Sequence, residues 1–125
     1  MKKKTKSISW WVKKLDAIIS AYVRSGGDIC FTCSVYVEGK NKQCGHFISR
    51  RHMATRFELD NLRIQCYRCN IWLNGNGAEF SIRLIKEIGL IRVEELVKKS
   101  RTIKQWTTKE LNELCERYGE LRKVD

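Results

Sequence analysis

The chain has 125 residues, a formal net charge of +11 and a hydrophobic content of 42%. This length suits one domain with a modest core, and no apolar stretch approaches the roughly 20 residues that a membrane-spanning helix requires. The positive charge favours a polyanionic partner, with nucleic acid ahead of an anionic membrane surface. A solvated basic surface would give the same composition.

The positive charge is concentrated in the N-terminal half. Residues 1–53 carry eleven Lys and Arg against three acidic residues, whereas residues 54–125 carry fourteen against eleven. Lysines interrupt the apolar residues near the start, so we do not expect a signal peptide. Because the cysteines also occur in closely spaced pairs, we expect reduced thiols and a cytoplasmic setting.

The N-terminal segment has apolar residues at helical spacing and predicts an amphipathic helix over residues 7–25. Ser7 or Ser9 can cap its start, and Gly26-Gly27 ends it.

The segment between the two cysteine pairs predicts a β-hairpin followed by a loop. Residues 34–37 are expected to form a strand, residues 38–41 a turn and residues 42–48 the returning strand. Residues 49–58 are polar and basic and predict a loop, after which residues 62–64 lead into the second cysteine pair.

The C-terminal third predicts helices. Asn76 and Glu79 form a capping-box signature for a helix that Gly89 ends. A short helix is expected around residues 92–99. Thr107 and Glu110 form a second capping box, before a helix whose apolar side chains, including Cys115, point inward.

These elements predict an α+β fold in a single domain of residues 1–125. A basic N-terminal helix (residues 7–25) precedes a metal-clipped ββα-like core (residues 28–89), and C-terminal helices (residues 92–123) follow.

Four of the six cysteines have the spacing of a structural zinc site. Two C-x2-C turns together supply the four thiolates of a closed tetrahedral site. The predicted Zn²⁺ ligands are Cys30, Cys33, Cys66 and Cys69. The alternative is that these four cysteines are buried independently of one another and bind no metal. Cys115 is expected in the core, and Cys44 is assigned no role.

A histidine and two asparagines lie within or beside this zinc frame, and a zinc clip alone does not require them. His46 has the titration range of a general base that activates water. Asn61 can accept the Nδ1 proton of that histidine or shape the loop that holds it. Asn70 offers an oxygen to Mg²⁺ or Mn²⁺. A structural or surface role is the alternative for any lone histidine.

The order of these residues resembles the HNH (ββα-metal) nucleases, in the variant whose last histidine is Asn. Three segments more closely resemble the NinG (Rap) family of recombination endonucleases of lambdoid phages: CGHFISR (residues 44–50), RFELDN (56–61) and QCYRCNIWLNGN (65–76). The resemblance covers about residues 11–92. It implies a small zinc-clipped HNH core, flanked by helices, in a protein of the host cytoplasm.

The resemblance also implies an activity. NinG-like proteins are expected to cleave branched DNA, including four-way (Holliday) junctions, with a divalent metal. Carried over to this chain, His46 is the general base, Asn61 positions it and Asn70 binds the catalytic Mg²⁺ or Mn²⁺. Gly45 departs from the HNH pattern, which places an acidic or His metal ligand directly before the catalytic histidine. Asn74 and Glu79 are further candidate ligands, although the capping box gives Glu79 a structural alternative.

Basic side chains of the N-terminal half are expected to contact DNA phosphates, with a solvated surface as the alternative. The predicted contacts are Lys13, Lys14, Arg50, Arg51 and Arg56. No membrane partner is expected. A homodimer would suit matched cuts in a four-way junction, and the apolar stripe of residues 111–121 could supply its interface or belong to the core. Two other functions remain open: a generic HNH nicking or homing-type enzyme, and a non-catalytic zinc-dependent nucleic-acid-binding module.

Overall fold

The computed structural model describes residues 5–121, so the last two residues of the predicted C-terminal helical region lie outside the described part. It shows a mixed α and β fold with four α-helices and one two-stranded sheet among these residues. Helix α1 spans Ile8–Arg24, and the side chain of Ser7 caps it by accepting a hydrogen bond of 3.1 Å from the backbone N–H of Trp10. The predicted N-terminal helix is thus confirmed.

The segment after the first cysteine pair does not form the predicted strand over residues 34–37. Ser34 has a φ of 67°, in the left-handed region, because the chain turns there and Ser34 N donates to Cys30 O. A left-handed residue cannot continue an extended strand. Only an isolated bridge joins Ile29 and Tyr36, so the predicted hairpin pairing is wrong.

The sheet instead pairs the two segments on either side of the basic loop. Strand β1 (Gln43–His46) runs antiparallel to strand β2 (Leu62–Gln65), with Cys44 opposite Ile64 and His46 opposite Leu62. Alternation along β1 directs Gln43 and Gly45 to one face and Cys44 and His46 to the other.

A π-helical turn, Arg68–Trp72, follows the sheet and leads into helix α2 (Gly77–Ile88), which Gly89 ends. The predicted capping box at Asn76 and Glu79 is wrong. Asn76 has a φ of 51° and makes no capping hydrogen bond, and Glu79 instead pairs with Arg83 one helical turn later. The left-handed backbone turns the Asn76 side chain away from the first turn of the helix.

Two more helices complete the described chain: α3 (Leu90–Ser100) and α4 (Thr108–Leu121). The second predicted capping box is confirmed, because Glu110 N donates to Thr107 Oγ1 and Thr107 N donates to Glu110 Oε1. Leu111 and Cys115 of α4 are buried in the core with α1. Most of the stripe considered for a homodimer therefore packs in the core, whereas Leu121 at its end is exposed.

Three apolar clusters support the sheet and the cysteine pairs. The first joins α1, α4 and the sheet, the second surrounds the cysteines, and the third lies between α2 and α3. Phe47, directly after β1, packs on Phe80 of the third cluster. This contact ties the end of β1 to α2. No helix in the described part of the chain has both the length and the apolar character needed to cross a membrane.

Candidate functional site

The four cysteines of the two C-x2-C turns converge on one point. The sulfur atoms of Cys30, Cys33, Cys66 and Cys69 all lie within 4.8 Å of one another, and the Cys33 and Cys66 sulfurs are 3.7 Å apart. A disulfide would need about 2.05 Å, whereas a tetrahedron of roughly 2.3 Å Zn–S bonds places its sulfurs about 3.8 Å apart. The geometry suits a metal such as zinc.

The surroundings of these sulfurs shift the pKa values of Cys30 and Cys33 in opposite directions. Burial raises the pKa of Cys30, but hydrogen bonds from Thr32 and from backbone groups outweigh it and lower this pKa to about 6. Burial and the neighbouring sulfurs raise the pKa of Cys33 to about 12, as expected when several thiolates share a small space. A bound cation would offset the repulsion between neighbouring thiolates. Asn76 Nδ2 and Cys69 N also donate to sulfurs of the cluster.

His46, the predicted general base, ends β1 and faces α1. It lines a small cavity of about 110 Å³ with Asp16 and Ser20 of α1 and with Arg50 and Arg56 of the loop. Burial lowers the pKa of His46 to about 4, with Asp16 opposing the shift and the two arginines adding to it. The imidazole is therefore neutral at pH 7, as a proton acceptor must be.

Asn61 is fully buried and holds the chain directly after β1. Its Oδ1 accepts from Ile48 N at 2.7 Å, and its Nδ2 donates to Ile48 O at 3.0 Å and to Thr55 O at 3.3 Å. All the polar atoms of its side chain are engaged by the loop backbone. Of the two roles considered for Asn61, the geometry matches the one that shapes the loop beside His46.

Gly45 has a structural explanation in the side chain of Gln65. A Cβ at position 45 would lie 1.9 Å from Gln65 Oε1 and 2.5 Å from its Cδ. Gln65 is fully buried, with its Nε2 donating to Thr32 Oγ1 and to Gly75 O. The space that a metal ligand at position 45 would use is thus filled by an amide.

The candidate ligands for a catalytic cation do not form a complete site. Asn70 Nδ2 donates to Gln43 Oε1 at 2.8 Å, which places its amide at the opposite end of β1 from His46. Asn74 is exposed, and Glu79 is paired with Arg83. In residues 5–121, the four cysteines are the one cluster of His, Cys, Asp or Glu that could hold a metal. The donors present do not fit Mg²⁺ or Mn²⁺, which favour several oxygen ligands including carboxylates.

The basic residues predicted to contact DNA differ in their exposure and in their contacts with other side chains. Lys13, Arg50 and Arg51 are exposed, and Lys14 lies over the rings of Trp10 and Trp11. Arg56 binds both carboxylate oxygens of Asp16 and donates to Arg50 O. The guanidinium of Arg56 therefore links the loop to α1, with little of it left for another partner.

The sequence was also compared with known protein families. A profile described as "Bacteriophage Lambda NinG protein" matches residues 1–125, the whole chain. The chain belongs to the NinG family. NinG proteins of Salmonella phage P22 and Escherichia phage lambda are each 26% identical to it over 113 residues, or 88% of this chain. The matched region is 55% and 54% of those proteins, so the chain spans about half their length. No solved structure matches.

Two residues of this NinG site were not singled out from the sequence. Asp16 is the one acidic residue of α1, and only the fold places it beside His46 and Arg56. Gln65 precedes the second cysteine pair, and its position on the strand face shared with Gly45 depends on a strand pairing that the predicted hairpin did not contain.

Proposed function

We propose that this NinG-family chain is a structure-selective DNA endonuclease of the HNH type that acts on branched or four-way-junction DNA during phage recombination or replication. The observation that carries the proposal is the pairing of β1 with β2, which sets His46 at a strand end beside the loop that Asn61 organises. The strand, loop, strand and helical turn follow one another in the order of the ββα-metal motif, next to the cysteine cluster.

The cysteine cluster is proposed to hold one structural Zn²⁺. Four sulfurs and no oxygen form a soft donor set, which selects zinc over Mg²⁺ or Mn²⁺. Two of these cysteines lie directly after β2 and the other two follow α1, so the metal would join parts of the chain that are distant in sequence. In a domain of this size such a bridge contributes directly to folding.

In the proposed reaction, His46 accepts a proton from the attacking water. Burial keeps the imidazole neutral at pH 7, so its free ring nitrogen is available to accept. Arg50 lies on the same cavity and supplies positive charge close to a phosphate bound there. We assign no step to a Mg²⁺ or Mn²⁺ ion, because the side chains present do not complete a site for one; whether the activity needs such an ion is part of the test.

The deciding experiment is a cleavage panel of four-way junction, flap, fork and linear duplex of matched sequence, with and without Mg²⁺ or Mn²⁺. His46→Ala should lower the cleavage rate by a factor of about 10² to 10⁴, the usual effect of removing a general base. His52→Ala is the matched control, since His52 is exposed outside the cavity. Equal cutting of junction and linear duplex would favour a generic HNH nicking or homing-type enzyme.

A non-catalytic nucleic-acid-binding module is the second candidate, and Gly45 favours it. The position that carries a metal ligand in ordinary HNH enzymes has no side chain and no room for one. Binding to DNA without cleavage of any substrate in the panel, under every metal condition, would support this reading and reject the enzyme.

A further inference from the structure

A groove lined by basic side chains continues from the His46 cavity along α1 and β1. It has a volume of about 670 Å³ and lies between the last turns of α1 and the segment of residues 39–44. The His46 cavity and this groove share two wall residues, Ser20 and Cys44. The two spaces are therefore neighbours on one surface. The residues that line the groove are Ser20, Arg24, Gly39, Lys40, Lys42, Gln43 and Cys44.

The groove presents two cations that have no acidic partner among residues 5–121. Arg24 is anchored through its Nε, which donates to Ser20 O and Ser20 Oγ, and its terminal amino groups make no hydrogen bond within residues 5–121. Lys40 is exposed and makes no ion pair among the described residues. Lys42 differs, because it is bound to Asp28 at 2.6 Å. In the part of the chain that the structure describes, no carboxylate lines the groove itself.

We propose that this groove binds the phosphodiester backbone of a DNA strand that reaches the mouth of the His46 cavity, with Arg24 and Lys40 as phosphate contacts. The proposal deepens the proposed function and rests on it for the identity of the ligand. Neither Arg24 nor Lys40 was predicted from the sequence to contact DNA. The two residues are distant in sequence and line one groove only because α1 packs on β1.

The length of β1 suits an extended strand that lies along it. From Gln43 to His46, β1 advances about 10 Å, more than the axial rise of about 3.4 Å per nucleotide of one DNA strand. A strand lying along β1 would meet Arg24 and Lys40 first and then reach His46.

The test compares two exposed lysines by the same substitution. Lys40→Ala should weaken binding of a junction and of a linear duplex severalfold in fluorescence anisotropy, and should lower the slope of log affinity against log salt by about one. Lys86→Ala, at an exposed position of α2 outside the groove, should leave both quantities at their parental values. Arg24→Gln should reproduce the effect of Lys40→Ala, with circular dichroism to verify that the helix persists.

The outcomes separate this proposal from the proposed function. If Lys40→Ala and Lys86→Ala bind DNA equally, the groove is not a phosphate site, whatever the protein cleaves. If Lys40→Ala alone loses affinity while no protein cleaves DNA, the groove is supported and the endonuclease is rejected. In an active enzyme, His46→Ala should bind like the parental protein, whereas Lys40→Ala should be impaired in binding.

Discussion

The Gln65 side chain occupies the space that a side chain at Gly45 would require. The two residues lie on one face of the β1–β2 sheet, where Gln65 Nε2 is held by Thr32 and by Gly75. Gln65 Oε1 accepts no hydrogen bond within the described residues and is shielded from solvent. A buried unsatisfied acceptor is unfavourable. The amide nevertheless stays in this position because its Nε2 donates two hydrogen bonds and because Gly45 has no Cβ to displace it.

We expect Gly45→Ala to destabilise the protein by about 1–3 kcal/mol, the usual cost of overpacking a core, because its Cβ would lie 1.9 Å from Gln65 Oε1. The penalty should shrink when Gln65→Ala is already present, which urea denaturation of both single variants and the double variant would measure. Gly77→Ala is the control, since nothing lies within 4 Å of its Cβ. An equal penalty in both backgrounds would contradict the contact.

Local sequence signals predicted much of the fold. Helix α1, the capping box of α4 and the end of α2 at Gly89 each depend on a few neighbouring residues, and all three are confirmed. The pairing of β1 with β2 was not predicted, because the partner strand lies beyond a loop. The left-handed backbone at Ser34 and Asn76 overturned one predicted strand and one predicted cap.

The candidate site was predictable in its residues and less so in its geometry. The spacing of the cysteines predicted their convergence, because two C-x2-C turns together supply the four ligands of one metal site. His46 and Asp16 lie on one cavity because α1 packs on the sheet, and Gln65 is buried because β2 pairs with β1. No local sequence pattern predicts either contact. Tertiary contacts thus determine which polar residues meet, while the local sequence determines where each element begins and ends.

The protein is expected to contain about one tightly bound zinc per chain, held by the four clustered thiolates. Cys69→Ser should remove the metal and lower the melting temperature, because one ligand and its fully buried site are lost. Cys44→Ser is the matched control, since Cys44 lies outside the cluster. Elemental analysis of the purified proteins measures the metal, and a metal-free parental protein that stays fully folded would refute the structural role.

Asn61→Ala should destabilise the protein by about 2–4 kcal/mol, because it leaves polar backbone groups of Ile48 and Thr55 unpaired in the interior. Asn41→Ala removes a side-chain bond to Tyr67 N in an exposed setting and should cost much less. Hydrogen exchange provides a local check. The Ile48 amide should lose protection in Asn61→Ala, and unchanged protection there would show that the loop does not depend on this side chain.

Arg56 should contribute mainly to folding, although the sequence predicted a contact with DNA. Arg56→Lys cannot keep both bonds to the Asp16 carboxylate and should lower stability by about 1 kcal/mol or more. Arg51→Lys, at an exposed position, should leave stability unchanged. Thermal unfolding compares the two variants. Equal melting temperatures combined with weaker DNA binding by Arg56→Lys would restore the original prediction.

The buried position of His46 should make stability depend on pH. Burial lowers its pKa to about 4 in the folded protein, against about 6.5 in an unfolded chain. Between these values the unfolded state binds more protons, so this contribution is fully present above pH 6.5 and is lost as the pH falls toward 4. His46→Gln should flatten the curve in that window. Zinc release in acid affects both proteins, so the difference between their unfolding free energies isolates the histidine. An NMR titration of His46 with a midpoint near 6.5 would contradict its burial.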